Sequence, residues 1–185
     1  TIGTDTGALT AVAGSPFAAG TAPRVVLVDP EGGFVYTFNE GDGSTNASSV
    51  SVYSVNSTTG ALSAVAGSPF SVQGTTFAQI HSAAFDPAGK YIYTGNWGTS
   101  KISQLTINKT TGALTEGTAV ANLSNNWDIV IDPTGKYLLS LDQVNDSLTV
   151  NSITAATGVV GSKVTGSPFS VGNMPYRLVI VKTVK

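Results

Sequence analysis

Cysteine is absent from the 185-residue chain, which removes both disulfide cross-links and thiolate metal sites. Charge is scarce as well: nine Lys and Arg stand against eleven Asp and Glu, for a net charge of −2. Charged residues make up only 11%, well below the roughly 25% of ordinary domains. No basic cluster occurs anywhere, and a phosphate backbone needs several Lys or Arg on one face, so nucleic acid is excluded as a partner. No apolar run approaches the ~20 residues of a membrane-spanning helix, so no membrane span is expected. Hydrophobic residues nevertheless reach 41%, enough for a sizeable core. The surface must then be built from Ser, Thr, Asn and Gly. Such a composition suits short strands and tight turns, and it points to a secreted, periplasmic or cell-surface protein. The chain opens on Thr1 rather than Met, so an upstream segment is expected.

What the chain does have is a repeat. A Thr-Gly turn followed by an apolar pair recurs at Thr6-Gly7-Ala8-Leu9, Thr59-Gly60-Ala61-Leu62, Thr111-Gly112-Ala113-Leu114 and Thr157-Gly158-Val159-Val160. From Gly7 through Gly60 and Gly112 to Gly158 the steps are 53, 52 and 46 residues. Ser-Pro-Phe recurs at Ser15, Ser68 and Ser167, and Asp-Pro-x-Gly at Asp29, Asp86 and Asp132. Periods of about 40–50 residues without helical patterning predict β-propeller blades, one four-stranded antiparallel sheet per repeat. Blades share one continuous core, so residues 1–185 form a single, partial domain.

One repeat can be read strand by strand. The apolar stretch from His81 to Phe85 ends at Asp86-Pro87-Ala88-Gly89. Proline presets φ and glycine supplies the left-handed position, so the chain returns through Lys90 to Thr94 as a second strand. The alternation over 101–107 marks a half-buried third strand, and Asn108 to Gly112 turns into a fourth starting at Ala113. Full blades are expected at approximately 21–70, 75–121 and 124–169. Part-blades are expected at 1–17, with an outer strand over 8–13, and at 175–185, with an inner strand over 177–181. About three and a half blades are therefore present. Such an arc leaves open blade faces and a free strand edge. The expected partners include the remaining half of the propeller or a second copy of the chain.

The repeat register singles out one position. Five residues before each Asp-Pro turn, at the head of the innermost strand, lie Arg24, His81 and Trp127. Arg177 takes the same place in the last part-blade, judged from the apolar run after it. Innermost strands line the central channel, and their first residues ring one mouth of it. Arginine holds a carboxylate or phosphate bidentately, and tryptophan stacks on a sugar face. Glu40 follows the second strand of its blade and is the candidate general base, with His81 as the alternative. Trp97 and Gln143 occupy the matching place in the next two blades and are expected to wall the same pocket.

Three blades resemble the bacterial lactonase family of seven-bladed β-propellers, the 6-phosphogluconolactonase-like and YVTN-type repeat proteins, and match its C-terminal half in order. Pro23-Arg24-Val25…Asn39-Glu40 is similar to the family's G-P-R-H…N-E blade. Gln79-Ile80-His81…Asn96-Trp97 is similar to its A-E-I-H…S-N-R blade, and Asn126-Trp127-Asp128…Asp142-Gln143 to its P-R-D-F…A-N-Q blade. The resemblance implies catalytic roles for Arg24, Glu40 and His81. It also implies substrate contacts from Asn39 and Asp128. Departures fall at the same positions: Val25 stands for His, Gln79 for Glu, Trp97 for Arg, and Asn126-Trp127 for Pro-Arg.

Two functions follow. One is hydrolysis of a sugar-derived or other anionic lactone, with Arg24 and Arg177 holding the substrate and Glu40 or His81 activating water. The other is a non-catalytic scaffold or assembly subunit that binds a small-molecule ligand or a protein partner. No cofactor or metal is expected. Asp42 to Asn46 has the oxygen spacing of half a calcium loop but no downstream bidentate Glu. Sequons at Asn46, Asn56, Asn108, Asn122 and Asn145 matter only in a eukaryotic source.

Overall fold

The Asp-Pro-x-Gly turns fold back as the residue types require. Gly32, Gly89 and Gly135 sit at φ of +76°, +60° and +70°. Each donates its N–H to the carbonyl of the Asp three residues earlier. The Asp132 carboxylate also accepts the N–H groups of Thr134, Lys136 and Tyr137 and the Thr134 hydroxyl. Burial opposes its ionisation, but these donors outweigh it and hold the carboxyl below its ordinary value.

The computed structural model describes residues 1–74, 77–120 and 125–181; the Asn122 sequon and the expected blade limits at 75, 121 and 124 lie outside them. These residues form three antiparallel sheets. The first contains β1 (Pro23–Val28), β2 (Phe34–Asn39), β3 (Ser49–Val55), β4 (Leu62–Ala64) and β5 (Phe70–Ser71). The second contains β6 (Ile80–Phe85), β7 (Tyr91–Asn96), β8 (Lys101–Ile107) and β9 (Leu114–Glu116). The third contains β10 (Asn126–Ile131), β11 (Tyr137–Asp142), β12 (Ser147–Ile153), β13 (Val160–Lys163) and β14 (Phe169–Ser170). Strands follow one another in chain order across each sheet. The innermost strands β1, β6 and β10 lie side by side. The chain is an all-β, partial β-propeller of four-stranded blades.

In the first and third blades the outer strand comes in two pieces, which pair with the two ends of β3 and of β12. The Ser-Pro of the Ser-Pro-Phe motif lies in the gap between the pieces, and its Phe opens the second piece. Ser68 and Ser167 turn their hydroxyls onto the N–H groups of Val52 and Val150, both at 2.9 Å. Donors that the interrupted strand would leave unpaired are thereby satisfied.

Neighbouring blades meet over apolar faces. Tyr36, Phe38, Val50 and Val52 of the first blade pack with Ile80, Ile92 and Leu105 of the second. Tyr93 and Ile102 of the second blade pack with Ile129, Leu138 and Ile153 of the third. Each such side chain contributes about 1.5–3 kcal/mol through burial. The Thr-Gly turns lock the same interfaces, because a bare glycine lets a turn settle on an aromatic ring of the preceding blade. A Cβ at Gly112 would lie 2.5 Å from Phe34, and one at Gly158 would lie 2.6 Å from Tyr91. Beside the second lock, the Tyr93 hydroxyl donates to the Gly158 carbonyl at 2.7 Å, and Gln104 Nε2 to the Thr157 carbonyl at 2.8 Å. Tyr137, the equivalent ring of the third blade, is 42% exposed.

Both ends differ from expectation. The outer strand expected over 8–13 is reduced to one isolated bridge between Ile2 and Leu9. The inner strand expected over 177–181 is not formed, since no described neighbour supplies a ladder for it.

The glycine lock gives a graded test. Gly7 and Gly158 occupy the same turn at φ of +65° and +68°, but a Cβ at Gly7 meets nothing within 4 Å. Gly7→Ala should cost about 1 kcal/mol, from backbone strain alone. Gly158→Ala should cost about 1–3 kcal/mol more, from overpacking against Tyr91. Equal midpoints for the two variants in urea unfolding would mean that the turn does not lock the blades.

Candidate functional site

At the head of each innermost strand the register slips by one residue. The slips fall between Pro23 and Val25, Ile80 and Ser82, and Asn126 and Asp128. The extra, bulged residues are therefore Arg24, His81 and Trp127. A bulge frees its residue from the ladder and re-aims the side chain. Each bulge follows a residue in the left-handed region: Ala22 at φ 52°, Gln79 at 51° and Asn125 at 46°. The carbonyls of Ala22 and Gln79 accept the N–H groups of Glu40 and Trp97, each at 2.9 Å. That bond sets the residue after the second strand beside the bulged one. Local backbone geometry thus delivers the expected ring.

Arg24, His81 and Trp127 come together, with Arg177, around a cavity of about 450 Å³ that Val25, Val26 and Tyr176 complete. The Glu40 carboxylate joins two of them. Arg24 Nη1 donates to its Oε2 at 3.2 Å, and His81 Nε2 faces its Oε1 at 3.3 Å. Its side chain is 20% exposed, against 37% for Arg24 and 7% for His81. The His81 ring stacks on Trp97 at 5.6 Å between centroids and meets the Trp127 ring edge-on at 4.7 Å. The Arg24 guanidinium lies 5.6 Å from the centre of the Trp127 ring, reaching from the first blade to the third.

Burial pushes the His81 imidazole below its ordinary value of 6.5; the Arg24 charge adds to the effect, and Glu40 opposes it without overcoming it. His81 is therefore neutral near pH 7. Because a carboxylate only accepts, the hydrogen-bond network assigns the ring proton to Nε2. The lone pair on Nδ1, a buried atom, has no hydrogen-bond partner among the described residues.

Several expected residues stand elsewhere. Asn39 does not reach the cavity: it is fully buried. Its Oδ1 accepts the Gly20 N–H, and its Nδ2 donates to the Ser49 and Ser51 hydroxyls. It ties the incoming chain to the first blade. Asp128 likewise turns to structure, accepting the Leu178 N–H at 2.8 Å and facing Arg177 at 3.9 Å. Burial pushes its carboxyl above the ordinary value, although Leu178 and Arg177 pull the other way. Trp97 backs His81 and Gln143 is half-buried; neither lines the cavity itself.

Arg177 is one residue out of register. The left-handed residue of the last part-blade is Met174, at φ 49°, which makes Tyr176 the equivalent of Arg24, His81 and Trp127. Tyr176 meets Trp127 edge-on at 5.2 Å. No Asp-Pro turn follows Arg177, so counting back from the turn was impossible there. A usable signal lay upstream, since Pro23 precedes Arg24 as Pro175 precedes Tyr176. The Asp42 loop is closed on itself. The carboxylate accepts the N–H groups of Ser44, Thr45 and Asn46, which hold it far below the ordinary range. Among the described residues no cluster is suited to a metal ion.

The lowered His81 value fixes a sign. The unfolded chain takes up a proton near pH 6.5 that the folded chain resists, so stability is lost as pH falls through that value. The melting temperature should therefore decline between about pH 7.5 and pH 5.5, more steeply in the wild type than in His81→Gln. Parallel profiles for the two proteins would mean that the folded state does not disfavour His81 protonation.

The family model for the seven-bladed β-propeller lactonases matches residues 1–174. A putative 6-phosphogluconolactonase from Bacteroides fragilis has a similar fold, with a TM-score of 0.72 and 24% identity over 86% of this chain and 42% of its own. A periplasmic gluconolactonase from Pseudomonas aeruginosa has a TM-score of 0.73 and 18% identity, again over 86% of this chain and 42% of its own. The chain thus spans about two fifths of the length of these structures. No curated protein matches it. The residues matched cover the Thr-Gly and Asp-Pro-x-Gly turns of all three blades and each Ser-Pro-Phe motif, and with them the bulges at Arg24, His81 and Trp127: the chain belongs to the lactonase family of seven-bladed β-propellers.

Proposed function

We propose that this chain carries one side of a lactone-hydrolysing site. The observation that supports it best is the Glu40 carboxylate, one-fifth exposed and bridged between Arg24 and His81 beside the cavity. A carboxylate so oriented can take a proton from water. The hydroxide equivalent then adds to the lactone carbonyl carbon. Arg24 faces the charge that develops on the carbonyl oxygen, the interaction that usually lowers such barriers most. The ring C–O bond breaks, its oxygen leaves with the proton Glu40 collected, and the product is the open hydroxy acid. His81, neutral and stacked on Trp97, positions Glu40. Its Nδ1 offers a second basic atom.

Family membership and the lactone-opening names of two similar folds agree with this chemistry. The remaining blades, supplied by further chain or by a second copy, would complete the mouth. The uncovered Tyr137 ring, whose counterparts Phe34 and Tyr91 are capped by glycine turns, supports such a neighbour. A scaffold without catalysis is the competing reading. It is favoured by the wholly structural use of Asn39 and Asp128.

In the completed ring, Glu40→Gln should lower lactone turnover by roughly two orders of magnitude, the usual contribution of a general base, while affinity for a neutral lactone changes little. Initial rates by pH-stat would measure this. Unchanged turnover would remove Glu40 from the mechanism, and no turnover by the wild type would favour the scaffold.

A further inference from the structure

We propose that the site selects an uncharged lactone, one that packs into the aromatic corner of Trp127 and Tyr176, over an anionic or phosphorylated one. The inference rests on the lactone reading above and names its substrate class. Its basis is that, among the described residues, each arginine at the cavity already has a carboxylate. Arg24 is held by Glu40 at 3.2 Å, and Arg177 faces Asp128 at 3.9 Å. Arg177 is also 83% exposed, where water screens any attraction it offers to an anion. His81 is neutral, so it adds no positive charge. The remaining lining is Val25, Val26 and the two aromatic rings.

An anionic group entering here would meet described residues whose charges sum to zero. To bind Arg24 it must share the guanidinium with Glu40, which sets a second negative charge beside that partly buried carboxylate, an unfavourable arrangement. A neutral ring disturbs neither pair. It gains apolar contact with Trp127 and with Tyr176, which is 60% exposed and stands nearly perpendicular to the indole, as an aromatic corner provides. The cavity of about 450 Å³ falls in the usual range for small-molecule sites.

The chain reports its own occupancy. It has two tryptophans, and both contact His81. Intrinsic fluorescence of the 185-residue chain can therefore be titrated with gluconolactam, whose ring amide resists hydrolysis, and with its 6-phosphate. The neutral lactam should quench with a Kd at least about tenfold below that of the phosphorylated one, a gap of roughly 1.4 kcal/mol. Trp127→Arg adds an unpaired cation and should reverse the order, with Trp97 left as reporter. Glu40→Gln releases Arg24 and should narrow the gap without disturbing the aromatic wall. Equal or tighter binding of the phosphorylated lactam by the wild type, or quenching by neither, overturns the proposal. Ring opening of gluconolactone, followed in the completed propeller, separates the two readings. Lactam binding without ring opening sinks the hydrolase and leaves the ligand class standing, whereas ring opening with no preference sinks the ligand class alone.

Discussion

One extra residue at the head of each innermost strand governs the functional end of this molecule. In a regular ladder, Arg24, His81 and Trp127 would each alternate with its neighbours and point to one face of its own sheet. The bulge removes each from the ladder, and a left-handed residue two positions earlier fixes the direction of approach. Because the device repeats in every blade, side chains from three separate sheets reach one mouth. The same left-handed carbonyl holds Glu40 and Trp97 beside the bulge. Catalytic candidate and channel ring are consequences of a single backbone irregularity.

The low charge of the chain has a structural counterpart. Second strands end on a buried polar residue, Asn39, Asn96 or Asp142, where a propeller needs hydrogen bonds between strand ends. Asn96 Nδ2 reaches the Ser103 hydroxyl at 3.0 Å and Asn39 Nδ2 reaches that of Ser51 at 3.0 Å. Amide and hydroxyl groups satisfy one another in a buried setting at far smaller desolvation cost than ions do. Between blades, glycine turns seat on aromatic rings, and the Gly89 and Gly135 turns lie against Pro30 and Pro87 in the same stepwise manner. Each interface repeats the previous one, so stability accumulates blade by blade.

Among the described residues, the charges on this side of the mouth are paired with one another. Arg24, Glu40 and His81 form one connected group across two blades, and Trp127 links it to the third through both Arg24 and His81. His81 is held between two indoles and loses affinity for a proton through burial. A neutral imidazole fixed by stacking, with one nitrogen committed to a carboxylate, orients that carboxylate without adding charge. The chemistry of the site therefore depends on pairing between blades rather than on any residue alone.

How much of this could be read from the chain follows from the range of each interaction. Turns act over four or five residues. Pro30 with Gly32, Pro87 with Gly89 and the Thr-Gly spacing therefore encode the hairpins, the blade period and the propeller class directly. Counting back from the Asp-Pro turn gives the ring in the three blades that possess the turn, and it fails at Arg177, where none follows. Tertiary structure alone decided the rest. Asn39 is a buried strut because Gly20 and Ser51 converge on it, and Asp128 clasps the last segment because the Leu178 N–H arrives beside it. Arg24 and Arg177 look like free anion clamps as residue types, yet each finds a carboxylate 16 or 49 positions away in the chain. Local chemistry is written in neighbouring residues, whereas the pairing of charges depends on which distant strands the closing sheets bring together.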